Sequence, residues 1–116
     1  MSVAVLRNAT TSQVIAERVR YADSWWDRLA GFIPRGAVDP DEGLWFRDCW
    51  AIHTLGMRAQ IDVIFLDADN RVVKTQRSVP LHHPFISCIG ARAVVELGAG
   101  ALDGRDVLAG DRLVLE

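Results

Sequence analysis

The segment QIDVIFLD, residues 60–67, restricts the fold of this chain more than any other stretch. From Ile61 to Leu66 it is almost unbroken in apolar character, and it ends at the turn-forming sequence DADN. A short run of β-branched and aromatic residues bounded by turn residues is typical of a β-strand. Because apolar residues occupy both alternating positions, we predict that this strand is buried on both faces.

The remaining patterns predict a mainly β domain. DADN forms a tight turn that returns the chain into RVVKTQR as an antiparallel partner. DSWWDRLAGF has helical spacing, with Asp23 or Ser24 as the N-cap and Gly31 as the stop. We predict one domain over residues 1–116, a β-sandwich or partly open barrel of six to seven short strands with one short helix. The other predicted strands are SVAVL, SQVIAERVRYA, LWFR, RAVVEL and RLVLE.

Charge and hydropathy exclude several classes of function. The chain carries 13 Lys and Arg against 15 Asp and Glu, and neither half forms a basic stripe, so we expect no nucleic-acid partner. No run reaches the roughly 18 apolar residues of a membrane span, and the amino terminus lacks the pattern of a signal peptide. We therefore expect a cytoplasmic monomer without a membrane contact. In that compartment Cys49 and Cys88 are expected to be free thiols.

No motif for a metal or a cofactor is present. Ligands of suitable chemistry exist at Cys49, His53, His82, His83 and Cys88, but their spacing matches no zinc finger. GAGALDG is rich in glycine yet lacks both the dinucleotide fingerprint and the Walker pattern. We expect neither a metal ion nor a cofactor.

Two polar residues within apolar sequence are candidates for chemistry. A carboxylate at Asp62 that is buried in a strand must be paired, hydrogen-bonded or protonated. It either locks a loop to the sheet or contacts a ligand. His53 has a side chain that can act as a general base near neutral pH, but no nucleophile motif accompanies it. A hydrogen-bonded core histidine is the alternative.

The stretch from Ser78 to Ala91 has no formal charge and contains Leu81, Phe85, Ile86 and Ile89. A loop of this length inside a small domain commonly has a function. It can cover the core, form the rim of a pocket, or dock a protein partner.

Four sequence blocks resemble a known family. WWDRLAGFIPR, CWAIHTLGMRAQIDVIFLDADNRVV, AVVELGAG and AGDRLVL are similar, in order, to the prokaryotic domain-of-unknown-function family numbered 192. The resemblance implies a compact β-rich domain with a short helix and supplies no established reaction. At position 98 this chain has glycine where the family pattern has proline. The residues that fall within these blocks include Cys49, His53, Met57, Arg58, Asp62 and Glu96.

Glu96, inside VVELG, is a second acid flanked by aliphatic residues. We predict a non-catalytic module that binds a small ligand, such as a carbohydrate or another metabolite, through His53, Arg58, Asp62 and Glu96. Arg58 would hold an anionic or hydroxyl-rich group. One alternative is a hydrolase-type enzyme with His53 or Asp62 as general base and Arg58 as electrostatic stabiliser. Another is a protein-interaction module that docks through residues 78–91.

Overall fold

The computed structural model describes residues 3–23, 38–54, 57–83 and 85–116. Within these ranges the chain forms nine strands and no helix. The predicted helix at residues 24–31 lies outside the described residues. The strands in chain order are β1 (Ala4–Asn8), β2 (Gln13–Tyr21), β3 (Glu42–Arg47), β4 (Ala51–Ile52), β5 (Ile61–Leu66), β6 (Val72–Val79), β7 (Ile86–Ser87), β8 (Ala93–Gly98) and β9 (Leu113–Leu115).

The prediction of a mainly β fold is confirmed. Seven strands form one mixed sheet in the order β6-β5-β8-β3-β2-β1-β9, and β4 pairs with β7 in a second, two-stranded sheet. β5 lies between β6 and β8, and all six of its residues are buried. The turn after β5 is stabilised by Asp67, whose carboxylate accepts hydrogen bonds from the backbone N–H of Asp69 (2.8 Å) and of Arg71 (3.0 Å). This is the hairpin that the sequence predicts.

The large sheet curls until its two edge strands, β6 and β9, meet at one end. Arg71 and Arg112 form an isolated antiparallel bridge just outside these strands. Beside it, the Val72 N–H donates to the Asp111 carbonyl at 2.8 Å, and the Leu113 N–H donates to the Asn70 carbonyl at 2.9 Å. The sheet is therefore joined at one corner and is not closed into a barrel.

The two faces of the sheet build separate cores because successive strand residues project to opposite sides. One face, here called the Asp62 face, carries Ile64 and Leu66 of β5 and is covered partly by Leu102 and Val107. The other, here called the Glu96 face, carries Val63 and Phe65 of β5. The residues that cover it from other elements include Ile52, Met57 and Ile86.

The glycine at position 98 has a steric reason in this fold. A Cβ atom there would overlap the backbone of Val38 and Asp39, which passes directly over the end of β8. Any larger residue would require this backbone to move. The departure from the family pattern at position 98 therefore accompanies a close approach between two segments of this chain.

Candidate functional site

The two buried acids lie on opposite faces of the sheet. In the antiparallel pairing of β5 with β8, Asp62 stands opposite Leu97, and Val63 stands opposite Glu96. Residues directly opposite each other project to the same side, whereas neighbours along a strand project to opposite sides. The structure therefore does not bring Asp62 and Glu96 into one cavity.

Asp62 is fully buried, and each of its carboxylate oxygens accepts a backbone hydrogen bond. Oδ1 accepts the N–H of Ser78 at 2.8 Å, and Oδ2 accepts the N–H of Leu102 at 3.1 Å. Ser78 has a φ of 47° and lies where the register between β5 and β6 shifts. Such a shift marks a β-bulge, which leaves an N–H without a ladder partner. These bonds support the interpretation that Asp62 locks loop segments to the sheet.

Glu96 is buried in a different environment. Its side chain is 5 % exposed and lies between Leu44 of β3 and Val63 of β5 on the Glu96 face. Within the described ranges, its carboxyl group has no hydrogen-bond partner. Burial raises the pKa of Glu96 from 4.5 to about 8, because the apolar surroundings disfavour the charged form. Glu96 is therefore protonated near neutral pH.

His53 and Arg58 are exposed, and neither lines the pockets described below. The side chain that holds the segment after β4 in place is Thr54, which was not among the predicted site residues. Its buried hydroxyl donates to the carbonyl of Pro80 at 2.7 Å and accepts the N–H of His83 at 2.8 Å. A threonine within an apolar stretch was the available signal. Thr54 fixes the start of the uncharged loop against the segment after β4.

An open pocket of about 480 Å³ lies where that loop enters β8. We call it the thiol pocket. It is lined by Asp48, Cys49, Trp50, Cys88, Ile89, Gly90, Ala91 and Arg92. Among the described residues, no group of three His, Cys, Asp or Glu side chains is placed to hold a metal ion.

A tight turn over residues 88–91 shapes the thiol pocket. The Ala91 N–H donates to the Cys88 carbonyl at 3.2 Å, and Gly90 at the third position has a φ of 91°. A type II turn requires this positive φ, which favours glycine. The turn is held on both sides, because Cys49 N–H donates to the Arg92 carbonyl (3.0 Å) and Cys88 N–H donates to the Trp50 carbonyl (3.3 Å).

The wall of the thiol pocket is apolar and its rim is aromatic. Cys49 and Cys88 are half-buried thiols that form no disulfide, and both pack against the core of the Glu96 face. Trp50 is 56 % exposed and makes an edge-to-face contact with Phe85, with ring centroids 5.6 Å apart. Ile89 at the tip of the turn is fully exposed. Such surfaces suit the apolar part of a small ligand.

A second pocket of about 290 Å³ adjoins the first, and we call it the polar pocket. Its lining consists of Tyr21, Trp45, Arg47, Asp48, Asp67, Ala68, Asn70, Arg92 and Ala93. The guanidinium of Arg47 lies 3.6 Å above the ring centroid of Tyr21 and forms a 3.2 Å ion pair with Asp23. Asp48 and Arg92 line both pockets.

Asp48 and Arg92 are not among the site residues that the sequence analysis predicts. Each follows or precedes a strand, at the end of β3 and before β8, where a charged residue usually marks ordinary solvent exposure. No local pattern distinguishes them. They become neighbours of one cavity only because β3 and β8 pair, with Arg47 opposite Ala93.

The fold and the pockets define a β-rich protein with one large and one small sheet and an open cleft at one end of β3 and β8. The chain belongs to the family DUF192, described as "Uncharacterized ACR", whose model matches residues 5–115. The resemblance noted in the sequence is confirmed. Within the described residues, no helix is long and apolar enough to cross a membrane.

Curated relatives and solved structures are similar over nearly the whole chain. A UPF0127 protein of Thermococcus sibiricus is 30 % identical, over 94 % of this chain and 73 % of its own. Another from Pyrococcus furiosus is 32 % identical, over 91 % of this chain and 93 % of its own.

Two crystal structures show the same fold. A Sinorhizobium meliloti protein, provisionally named a transcription regulator, has a TM-score of 0.80 at 23 % identity, with 99 % of this chain and 96 % of that chain covered. A Novosphingobium aromaticivorans protein of unknown function has a TM-score of 0.78 at 20 % identity, with 97 % and 83 % covered.

Proposed function

We propose that this protein is a small-molecule binding module whose site is the thiol pocket. The observation that carries the proposal is the pocket itself, with about 480 Å³ of open volume, an apolar wall and a guanidinium at its edge. This volume lies within the range of roughly 300–1,000 Å³ that is usual for ligand sites. In the described part of the chain, the Arg92 side chain has no hydrogen bond or ion pair, so its donors are available to a ligand.

The proposal moves the site away from the residues that the sequence pattern favours. Asp62 is fully buried and holds two backbone amides, so it supports the sheet and has no exposed edge for a ligand. The same burial counts against the hydrolase alternative, because a general base must reach the proton that it removes. Arg92 takes the electrostatic role that the sequence analysis assigned to Arg58.

Binding is tested by NMR with a library of common metabolites and ¹⁵N-labelled protein. We expect shifts in the amides of residues 49–50 and 88–92, since these line the pocket. Replacing Arg92 by Gln is expected to weaken binding about tenfold, as for the loss of one charge-assisted hydrogen bond. The matched control is Arg112→Gln, which alters an exposed arginine outside both pockets. Shifts centred on His53 and Arg58 would contradict the proposal and favour the site predicted from sequence.

Docking of a protein through residues 78–91 is the second candidate. It is favoured by Phe85, which is 54 % exposed, and by Ile89, which is fully exposed. The same NMR experiment separates the two candidates. A docking module would leave its spectrum unchanged with every small molecule, whereas a ligand module would respond at the thiol pocket.

A further inference from the structure

We propose that Arg71 and Arg112 form a binding site for a dianionic phosphate group, as carried by inorganic phosphate or a phosphomonoester. The two residues face each other at the corner where the edge strands of the large sheet meet. Neither lines the thiol pocket or the polar pocket. The inference therefore goes beyond the proposed function and does not depend on it. We call these two residues the arginine pair.

The backbone register places the arginine pair side by side. Arg71 and Arg112 stand directly opposite each other in an isolated antiparallel bridge. The hydrogen bonds on either side of it come from the N–H groups of Val72 and Leu113, so the bridge is a non-hydrogen-bonded pair. In such a pair the Cα atoms are typically about 4.5 Å apart and the side chains lie closest together. Both arginines project to the same side of the sheet and are exposed.

Within the described residues, no acid forms an ion pair with either guanidinium of the arginine pair. Like charges that stand directly opposite each other in a sheet are destabilising. The corner of the sheet therefore holds two positive charges whose mutual repulsion no carboxylate relieves there. An anionic ligand that binds between them would supply the missing charge.

The acids around the arginine pair are engaged with other groups or exposed to water. Asp67 accepts the backbone hydrogen bonds of its own turn. Asp111 accepts hydrogen bonds from a side-chain amide at 2.9 Å and from a backbone N–H at 3.0 Å. Glu116 forms an ion pair with Arg7. Asp69 is exposed and has no ion pair in the described part of the chain.

One member of the pair is held in place by a turn. Arg71 Nη1 donates to the carbonyl of Gly110 at 3.0 Å. Gly110 has a φ of 93° at the third position of a turn that the Asp111 N–H closes by donating to the Leu108 carbonyl at 3.0 Å. A type II turn requires this positive φ. The hydrogen bond positions the guanidinium of Arg71 and leaves most of its N–H donors available to a ligand.

The chemistry of the arginine pair favours a phosphate dianion. A guanidinium presents paired donors that match two oxygens of a phosphate group. Two guanidinium groups bind different oxygens of one phosphate, and their two charges match the charge of about −1.5 to −2 that a phosphomonoester carries at pH 7. A phosphodiester carries a single charge and would compensate the repulsion only in part. A phosphomonoester is therefore favoured over the backbone of a nucleic acid.

The test is an NMR titration of ¹⁵N-labelled protein with inorganic phosphate, glycerol 3-phosphate and dimethyl phosphate. Potassium chloride keeps the ionic strength constant, so that binding is separated from the screening of the two charges. We expect the backbone amides and the side-chain Nε resonances of Arg71 and Arg112 to shift. Phosphate and glycerol 3-phosphate should bind at least about tenfold more tightly than the diester, which loses a charge-assisted contact.

Variants assign the binding to the arginine pair. Arg112→Gln and Arg71→Gln should each weaken phosphate binding about tenfold. Arg112→Gln also removes the repulsion, so its melting temperature without phosphate should be at least that of the wild type. Phosphate should raise the melting temperature of the wild type but not that of this variant. The matched control is Arg92→Gln, which makes the same change in net charge at an exposed arginine outside the pair.

Three results would overturn the inference. If phosphate and chloride raise the melting temperature equally at matched ionic strength, the charges are only screened. Equal binding of phosphate and dimethyl phosphate would indicate a site for a phosphodiester, such as a nucleic-acid backbone. Shifts that leave Arg71 and Arg112 unchanged would place the anion elsewhere. Each of these results leaves the proposed function intact, because the amides of the thiol pocket report on it separately.

Discussion

The two faces of the large sheet each bury one acid, and they treat it in opposite ways. On the Asp62 face, both carboxylate oxygens accept backbone hydrogen bonds, from a β-bulge in β6 and from the segment after β8. On the Glu96 face, the carboxyl lies between Leu44 and Val63 without a hydrogen-bond partner in the described residues. Asp62 therefore stabilises the fold, whereas Glu96 is buried in its protonated, neutral form.

This difference shows that burial alone does not give an acid its role. The two residues lie on adjacent strands and are almost equally inaccessible to water. Their roles follow from which backbone N–H groups face them. A carboxylate that satisfies otherwise unpaired amides adds stability, whereas one without donors retains its proton.

The largest expected effect comes from Asp62. Asp62→Ala leaves the partly buried N–H of Ser78 and the buried N–H of Leu102 without their acceptors, and we expect a loss of about 3–5 kcal/mol in the free energy of unfolding. Urea unfolding monitored by tryptophan fluorescence measures it. Asp62→Asn retains one acceptor oxygen and should lose less. A loss below about 1 kcal/mol for Asp62→Ala would show that the two hydrogen bonds do not hold these segments.

The second effect concerns Glu96 and pH. The unfolded chain releases the proton near pH 4.5, whereas the native protein keeps it until the pKa of about 8. Between these values the native state binds more protons, so the free energy of unfolding decreases as pH rises, by up to about 1.4 kcal/mol per pH unit. Above pH 8 the contribution stays at its least favourable level.

Glu96→Gln removes this dependence. The variant should match the wild type near pH 4 and exceed its unfolding free energy by a few kcal/mol at pH 9. Urea unfolding at several pH values gives the difference in the free energy of unfolding between the variant and the wild type. The contributions of the other titrating groups cancel in this difference. A constant difference across this range would mean that Glu96 is ionised throughout in the native protein and would contradict the raised pKa.

The smallest effect is expected for Arg58→Gln. Arg58 is exposed and has no hydrogen bond or ion pair in the described part of the chain, so the unfolding free energy should change by less than about 0.5 kcal/mol. The pH dependence due to Glu96 should stay the same. If Arg58 stands close to that carboxyl, removing its charge would raise the pKa of Glu96 and shift the pH dependence upward.

Much of the fold was predictable because strand periodicity and turn residues are local. The apolar segment that became β5, its hairpin with β6, and the strands at residues 4–8 and 113–115 follow from alternation and turn chemistry. The parallel pairing of β2 with β3 was not predicted, because pairing between distant segments leaves no local pattern.

The candidate site was less predictable than the fold. Acids within apolar runs are conspicuous in a sequence, and for this reason Asp62 and Glu96 were predicted to belong to one site. The pleat of β5 and β8 separates them, because Asp62 stands opposite Leu97, the neighbour of Glu96, and Glu96 stands opposite Val63, the neighbour of Asp62. No local sequence pattern distinguishes Asp48 and Arg92, because charged residues at strand ends are common.

The sequence by itself determined that this chain is a β-rich domain, because hydrophobic alternation and turn residues act over a few positions. Only the tertiary structure decided which polar residues meet. A shift of one residue in strand register moves every side chain to the other face. The pairing of β3 with β8 and the turn at residues 88–91 therefore decided where the pocket lies and which charges border it.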